Sequence, residues 1–188
     1  MIKKLKNSVL RKIFSTQKGR KQHLNAMQDE VLEVLKQFTD HKLYFKPKDL
    51  IGKHLYTSGD WERKKTEKVI KLLVSKNIFS KNSIALDLGA NIGTQSIYFY
   101  LEGVFNKIYA IEADSYNTNI LSRNISINGM GDKISCIGVA IADYDGEIEL
   151  FKSFDNTGAH SLFNHNSSAL SESVKCQKLE TIIKKNSI

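Results

Sequence analysis

Apolar positions along the chain change their period several times, and each change marks an element. Ile2, Leu5, Val9 and Ile13 recur at steps of three and four with Lys and Arg between them, the pattern of a basic amphipathic helix. Leu24, Met27, Val31, Val34, Leu35 and Phe38 continue that spacing through an acid-containing stretch, which predicts a second helix packed on the core. The only proline, Pro47, sits in a polar connection, and Gly59-Asp60 marks a turn before Trp61. Val69, Ile70, Leu72, Leu73 and Val74, flanked by Lys64, Lys65, Lys68 and Lys71, predict a helix of about three turns ending near Asn77. Lys76 to Ser83 reads as the loop that follows.

From there the pattern becomes that of alternating strands and helices. Ile84-Ala85-Leu86-Asp87-Leu88 is a short apolar run with one acid, as in a buried parallel strand, and it breaks directly into Gly89-Ala90-Asn91-Ile92-Gly93. Thr94 to Leu101 reads as helix, Lys107 to Glu112 as a second strand, Tyr116 to Asn128 as a second helix ending at Gly129, and Lys133 to Val139 as a third strand. Strand, helix, strand, helix, strand is the beginning of a doubly wound α/β sheet. Alternation in Glu147 to Phe151 predicts an extra strand, with Val174 to Gln177 as its partner.

Composition refines this picture mainly through the distribution of charge. The 188 residues suit one domain, and two separated cysteines, Cys136 and Cys176, without a CxxC spacing read as buried thiols rather than a disulfide framework. The net charge is +8, and eight Lys and Arg with no acid lie between Met1 and Gln28. From Ser83 onward eight Lys and Arg face twelve Asp and Glu, which argues against a nucleic-acid-binding face there, since phosphate contacts need clustered cations. Residues 1–40 are therefore expected to be a basic helical extension and residues 41–188 the α/β domain. The extension either packs on its own domain or a partner, or touches an anionic membrane through residues 1–21. With no run long and apolar enough for a membrane span and no signal-peptide core, the expected location is the cytoplasm, peripheral at the membrane if the extension binds there.

The chemistry concentrates at the first strand-to-helix turn. Glycine there lets backbone approach a ligand closely, and Gly89 and Gly93 supply it. An acid at the end of the second strand can accept hydrogen bonds from both ribose hydroxyls, and Glu112 follows Gly93 by 19 residues, near the spacing of about 20 expected for that role. The pair predicts an adenosine-containing ligand. Dinucleotide sites use GxGxxG, whereas this turn is DxGxNxG. A carboxylate at Asp87 would repel a pyrophosphate and suits a ligand with cationic amino and sulfonium groups, which describes S-adenosylmethionine. No His, Asp or Glu set has metal-ligand spacing.

Asp87 to Gly93, then Ala110-Ile111-Glu112-Ala113-Asp114, Asn124 to Gly129, and Val139 to Glu147, preceded by Ser58-Gly59-Asp60-Trp61-Glu62, together resemble the FkbM-type methyltransferases. That resemblance spans about residues 50–183. It implies a Rossmann-like fold of the class I methyltransferase type and S-adenosylmethionine-dependent methylation of a hydroxyl on a sugar, a glycan or another small molecule. It implies that Gly89, Ala90, Asn91 and Gly93 line the methionine end of the cofactor with Asp87 at its base, that Glu112 holds the ribose, and that Ala140 passes the adenine, with Asp114 near that side. Asn124 and Asn128 are expected to cap or terminate the second helix. His160 and Ser161, in a small-residue stretch, are the acceptor-side candidates for catalysis. The family continues after Leu179 to Ile183 into a fourth strand, so this sheet is expected to be incomplete at its C-terminal end and completed by another polypeptide or by association of copies. A non-catalytic partner- or membrane-binding remnant and an NAD-dependent oxidoreductase stand as the alternative readings.

Overall fold

The structure, a computed structural model, describes residues 14–27, 32–80, 82–153, 156–163 and 170–188. The basic helix expected over Ile2 to Ile13 lies outside the described residues, as does Val31.

The first described helix, α1 (Gln17–Ala26), starts at Thr16, whose hydroxyl accepts from Gly19 N–H at 3.0 Å. Of the helix expected across Leu24 to Phe38, Leu24 lies in α1, but the last part is not helical. Val34–Gln37 is instead strand β1, paired antiparallel with β2 (Lys42–Phe45). Val34, Leu35 and Phe38 satisfy a helical period in so short a run, but tertiary packing decides: the partner strand buries Leu43 and Phe45 completely. This hairpin crosses residue 40. Asp49 then caps α2 (Leu50–Thr57) by accepting from Ile51 N–H at 3.1 Å, and α3 (Arg63–Ser75) covers the lysine-flanked apolar run.

The expected α/β unit follows. Strand β3 (Ile84–Leu88), helix α4 (Thr94–Glu102), strand β4 (Lys107–Ile111), helix α5 (Ser115–Ile127) and strand β5 (Ile134–Ile137) form a parallel sheet in the order β3-β4-β5. Its register aligns Asp87 with Ala110 and Ala110 with Cys136. Ile108 and Ala110 join Ile97, Ile120, Leu121, Ile125 and the hairpin residues Leu43 and Phe45 in one apolar cluster. Tyr109 points to the opposite face, where its hydroxyl donates to the Asn186 carbonyl, just past α6 (Leu179–Lys185). Helices thus cover both faces, as in doubly wound folds. Each such Leu or Ile, fully buried, contributes about 1.5–3 kcal/mol.

A second sheet, order β6-β8-β7, consists of β6 (Ala140–Ile141), β7 (Gly146–Phe151) and β8 (Ser171–Gln177). β7 and β8 pair antiparallel, as the alternation predicts. The third strand read over Lys133 to Val139 is divided here: its last residues leave the first sheet, and Ala140 pairs with Cys176 in the second. Cys176 is buried and Cys136 half-buried, both as thiols. Among the described residues β3 pairs on one side only, and no helix is long and apolar enough to cross a membrane.

Asn124 and Asn128 do more than end α5. Asn124 Oδ1 accepts from Tyr44 N–H at 2.6 Å while its Nδ2 donates to Tyr44 O and Ile92 O, at 3.1 and 2.9 Å. Asn128 grips Lys42 N–H and C=O in the same way, both at 2.8 Å. Four helical residues rise about 6 Å and two strand residues about 6.6 Å, so side-chain amides one turn apart on α5 match the free edge of β2. The hairpin is thereby fixed to the helix that borders the glycine turn.

Candidate functional site

Beyond Leu88 the chain reverses through three left-handed residues, Gly89 (φ 77°), Asn91 (φ 50°) and Gly93 (φ 87°). Gly89 N–H and Ala90 N–H both donate to Ile111 O at 2.9 Å, which ties the turn to the end of β4. Gly93 is required twice, by its φ and by space, since a Cβ there would lie 2.4 Å from Leu121 Cδ1. That close approach seats the start of α4 against α5.

Glu112 is buried beside this turn. Its Oε2 accepts from Asn91 N–H at 2.8 Å and its Oε1 from Asp114 N–H at 2.9 Å. Burial pushes its pKa above the ordinary carboxylate value, and these amide hydrogen bonds offset only part of that shift. The Asn117 side chain adds a third hydrogen bond, which leaves the carboxylate one further lone pair for a ligand. Asp87 has its own environment, with Oδ2 accepting from Ser96 Oγ at 2.6 Å. Burial raises its pKa too, against the opposing hydrogen bonds from Ser96.

Two cavities meet at the turn and share Gly89, Asn91 and Gly158. One, of about 270 Å³, is lined by Ile111, Glu112, Ala113, Ala140, His160 and Leu162 among others. The other, of about 220 Å³, holds Asp87 and Ala90 with Ile51, Trp61, Thr94, Gln95 and Asn156. The turn therefore has a half with a carboxylate suited to a ribose and a half with a carboxylate suited to a cation. Of the sequence-predicted residues, Asp87, Gly89, Ala90, Asn91, Glu112 and Ala140 line these cavities, whereas Gly93 lines neither and acts through packing. Trp61, which the sequence marks only as part of the Ser58 to Glu62 segment, is in the wall of the Asp87 cavity. It arrives because Gln95 Nε2 donates to its carbonyl at 3.3 Å and its N–H donates to the Tyr98 hydroxyl at 3.3 Å.

The acceptor-side candidates occupy different places. His160 borders the Glu112 cavity, and its Nδ1 accepts from Ser153 N–H at 3.0 Å. The proton of the neutral ring is then on Nε2, 3.6 Å from Asp114 Oδ2. Burial lowers the His160 pKa, with Asp114 opposing and Lys152 and Lys46 adding to the shift. With Nδ1 accepting from Ser153 N–H and Nε2 carrying the proton, neither nitrogen of the neutral ring is disposed to take a proton from a hydroxyl. Ser161 lines neither cavity: its backbone pairs with Phe151 and its Oγ accepts from Phe163 N–H at 3.0 Å. Asp114 is buried, caps α5 through Asn117 N–H at 2.7 Å and receives the ammonium of Lys152, which also reaches Glu172. Burial alone would raise the Asp114 pKa, but Lys152 and the cap hold it below the ordinary value. Among the described residues no group of three or more His, Cys, Asp or Glu could hold a metal ion.

No protein-family model matches the chain, and no curated protein matches it. Solved structures similar to it include TYW2 of P. horikoshii in complex with MeSAdo (TM-score 0.44, 23% identity, covering 62% of this chain and 39% of that one). A tRNA methyltransferase of M. jannaschii is similar over 61% of this chain and 36% of its own (TM-score 0.41, 20% identity). Methyltransferase FkbM from Methylobacillus flagellatus is similar over 56% and 24% (TM-score 0.38, 19% identity). This chain spans between 24% and 39% of the length of these three proteins.

Proposed function

We propose that the chain carries the S-adenosylmethionine site of a methyltransferase of the FkbM type, acting on a hydroxyl of a sugar, glycan or other small molecule. The observation that carries this reading is the joined pair of cavities, with Glu112 in one, Asp87 in the other and the left-handed turn of Gly89 and Asn91 between them. The residues fit the cofactor: Glu112 would take the ribose hydroxyls, Ala113 and Ala140 would flank the base, and Asp87 would face the amino-acid end. Bound there, the cofactor supplies an electrophilic methyl on a sulfonium.

The chain's own contribution is orientation. Trp61, Thr94, Gln95 and Asn156 wall the Asp87 cavity and would hold an acceptor oxygen in line, the kind of positioning that lowers a displacement barrier without covalent chemistry. The acidic balance of the sheet-forming half supports a small acceptor over a nucleic acid.

Calorimetric titration with S-adenosylhomocysteine tests the proposal, with NAD and an Asp87→Ala, Glu112→Ala variant as controls. Saturable binding of S-adenosylhomocysteine, lost in the variant and not reproduced by NAD, is the expected result. A cooperatively folded wild-type chain that binds NAD in preference, or binds neither, would overturn it.

A further inference from the structure

We propose that the groove between α1 and α2 is a site for a phosphate-bearing part of the acceptor. Its role toward an acceptor rests on the methyltransferase reading, and its preference for phosphate on the groove itself. Its volume is about 770 Å³, within the range of small-ligand pockets. Lys18 and Lys21 of α1, Lys48 ahead of α2, and Lys53 and His54 of α2 stand in its wall, and among the described residues no Asp or Glu lines it. The ammonium groups of Lys18, Lys21 and Lys53 around one concavity repel one another and focus positive potential into it, a field that a compact dianion neutralises and a neutral sugar does not.

The walls are held in place independently of any ligand. Arg20 Nε and an Nη donate to Thr57 O at 2.9 and 2.7 Å, the other Nη reaches Phe14 O and Ser15 O, and Gln17 Nε2 donates to Ser58 Oγ at 3.2 Å. On the opposite side of α1, His23 Nδ1 and the Tyr56 hydroxyl are 2.6 Å apart. The basic extension thus contributes, through α1, one wall of a built pocket.

Its position relates it to methyl transfer. Ile51, in the first turn of α2, lines the Asp87 cavity, and Lys53, His54 and Thr57 of the same helix line the groove on another of its faces. The His54 ring stands edge-on to Trp61 with centroids 5.3 Å apart, and Trp61 is in the wall of the Asp87 cavity. An acceptor anchored by phosphate in the groove would extend its hydroxyl past Trp61. The pocket form and the negative balance beyond Ser83 favour a small phosphorylated molecule over a polymer, which needs an extended cationic track.

Inorganic pyrophosphate is the probe, titrated into the full chain and followed by the amide resonances of Lys21, Lys53 and His54, with S-adenosylhomocysteine titrated separately. Saturable shifts are expected, weakened about tenfold or more in a Lys18→Ala, Lys21→Ala, Lys53→Ala variant whose melting transition shows it folded. Absence of pyrophosphate binding at millimolar concentrations, or binding unchanged in the variant, overturns the site. An oligonucleotide or an anionic phospholipid vesicle that binds the chain and is not displaced by pyrophosphate overturns it in favour of a polymer or lipid surface. Pyrophosphate binding in a chain that ignores S-adenosylhomocysteine refutes the acceptor role, and the methyltransferase reading with it, while leaving an anion site.

Discussion

Replacing Glu112 by glutamine keeps the side-chain shape and removes the charge. In the wild-type chain both carboxylate oxygens accept backbone N–H groups, from Asn91 and Asp114. Glutamine offers one oxygen and one NH2, so one of those two amides must face another donor. The lost hydrogen bond to a charged acceptor is worth about 1.5–3 kcal/mol. If the same carboxylate takes the ribose, S-adenosylhomocysteine affinity falls about ten- to a hundredfold, by the same free energy. Stability responds with a definite sign. Because burial raises the Glu112 pKa, the folded state holds its proton longer than the unfolded chain, so this group's contribution is present at acid pH and is lost as pH rises through the raised value. That loss disappears in the Glu112→Gln variant. Calorimetry for affinity and melting scans across the carboxyl range measure the two effects. A folded Glu112→Gln chain that binds S-adenosylhomocysteine within about twofold of wild type would refute Glu112 as the ribose anchor.

Gly93→Ala combines a left-handed φ, about 1–2 kcal/mol, with a Cβ 2.4 Å from buried Leu121; a total loss of about 2–4 kcal/mol is expected in denaturant unfolding, and an unchanged midpoint would contradict the close approach. Asn124→Ala strips three hydrogen bonds from a fully buried site and should cost about 3–5 kcal/mol, against about 1 kcal/mol for the more exposed Asn128→Ala; equal costs in chemical denaturation would refute the ranking. Asp87 must be ionised to face a cationic ligand, and its pKa is raised, so S-adenosylhomocysteine affinity should increase as pH rises through that value and be pH-independent over the same range in Asp87→Asn. A flat calorimetric profile for the wild-type chain would remove Asp87 from the amino-acid end.

The parts legible in the sequence are those whose physics is local. A buried parallel strand needs only its apolar run and a glycine turn its glycines, so β3 to β5 with α4 and α5 could be read within a residue or two at most ends. The hairpin could not. Leu43, Tyr44 and Phe45 between lysines make too short a run to signal a strand, and what holds β2 is a pair of asparagines 80 and more residues away. Trp61 enters the site through α4, and Lys152 reaches Asp114 across 38 residues, so neither could be found from spacing. His160 could be found by residue type, but its tautomer depends on Ser153 N–H, which only the folded loop supplies.

Three carboxylates near the turn follow two electrostatic regimes, and the contrast bears on which ligand belongs there. Asp114 is neutralised within the chain, its charge matched by Lys152 and lowered in pKa. Glu112, buried, and Asp87, half-buried, have neutral donors only, amides in the first case and the Ser96 hydroxyl and amide in the second, and both are raised. Burying a carboxylate that is left short of positive charge costs stability, and the cost is recovered only when a ligand brings the missing partners. A ligand with a pyrophosphate would add like charge beside Asp87 and deepen that cost. One with ribose hydroxyls at Glu112 and a cation at Asp87 relieves both, so the charge left uncompensated by the fold points to a nucleoside whose other end is cationic.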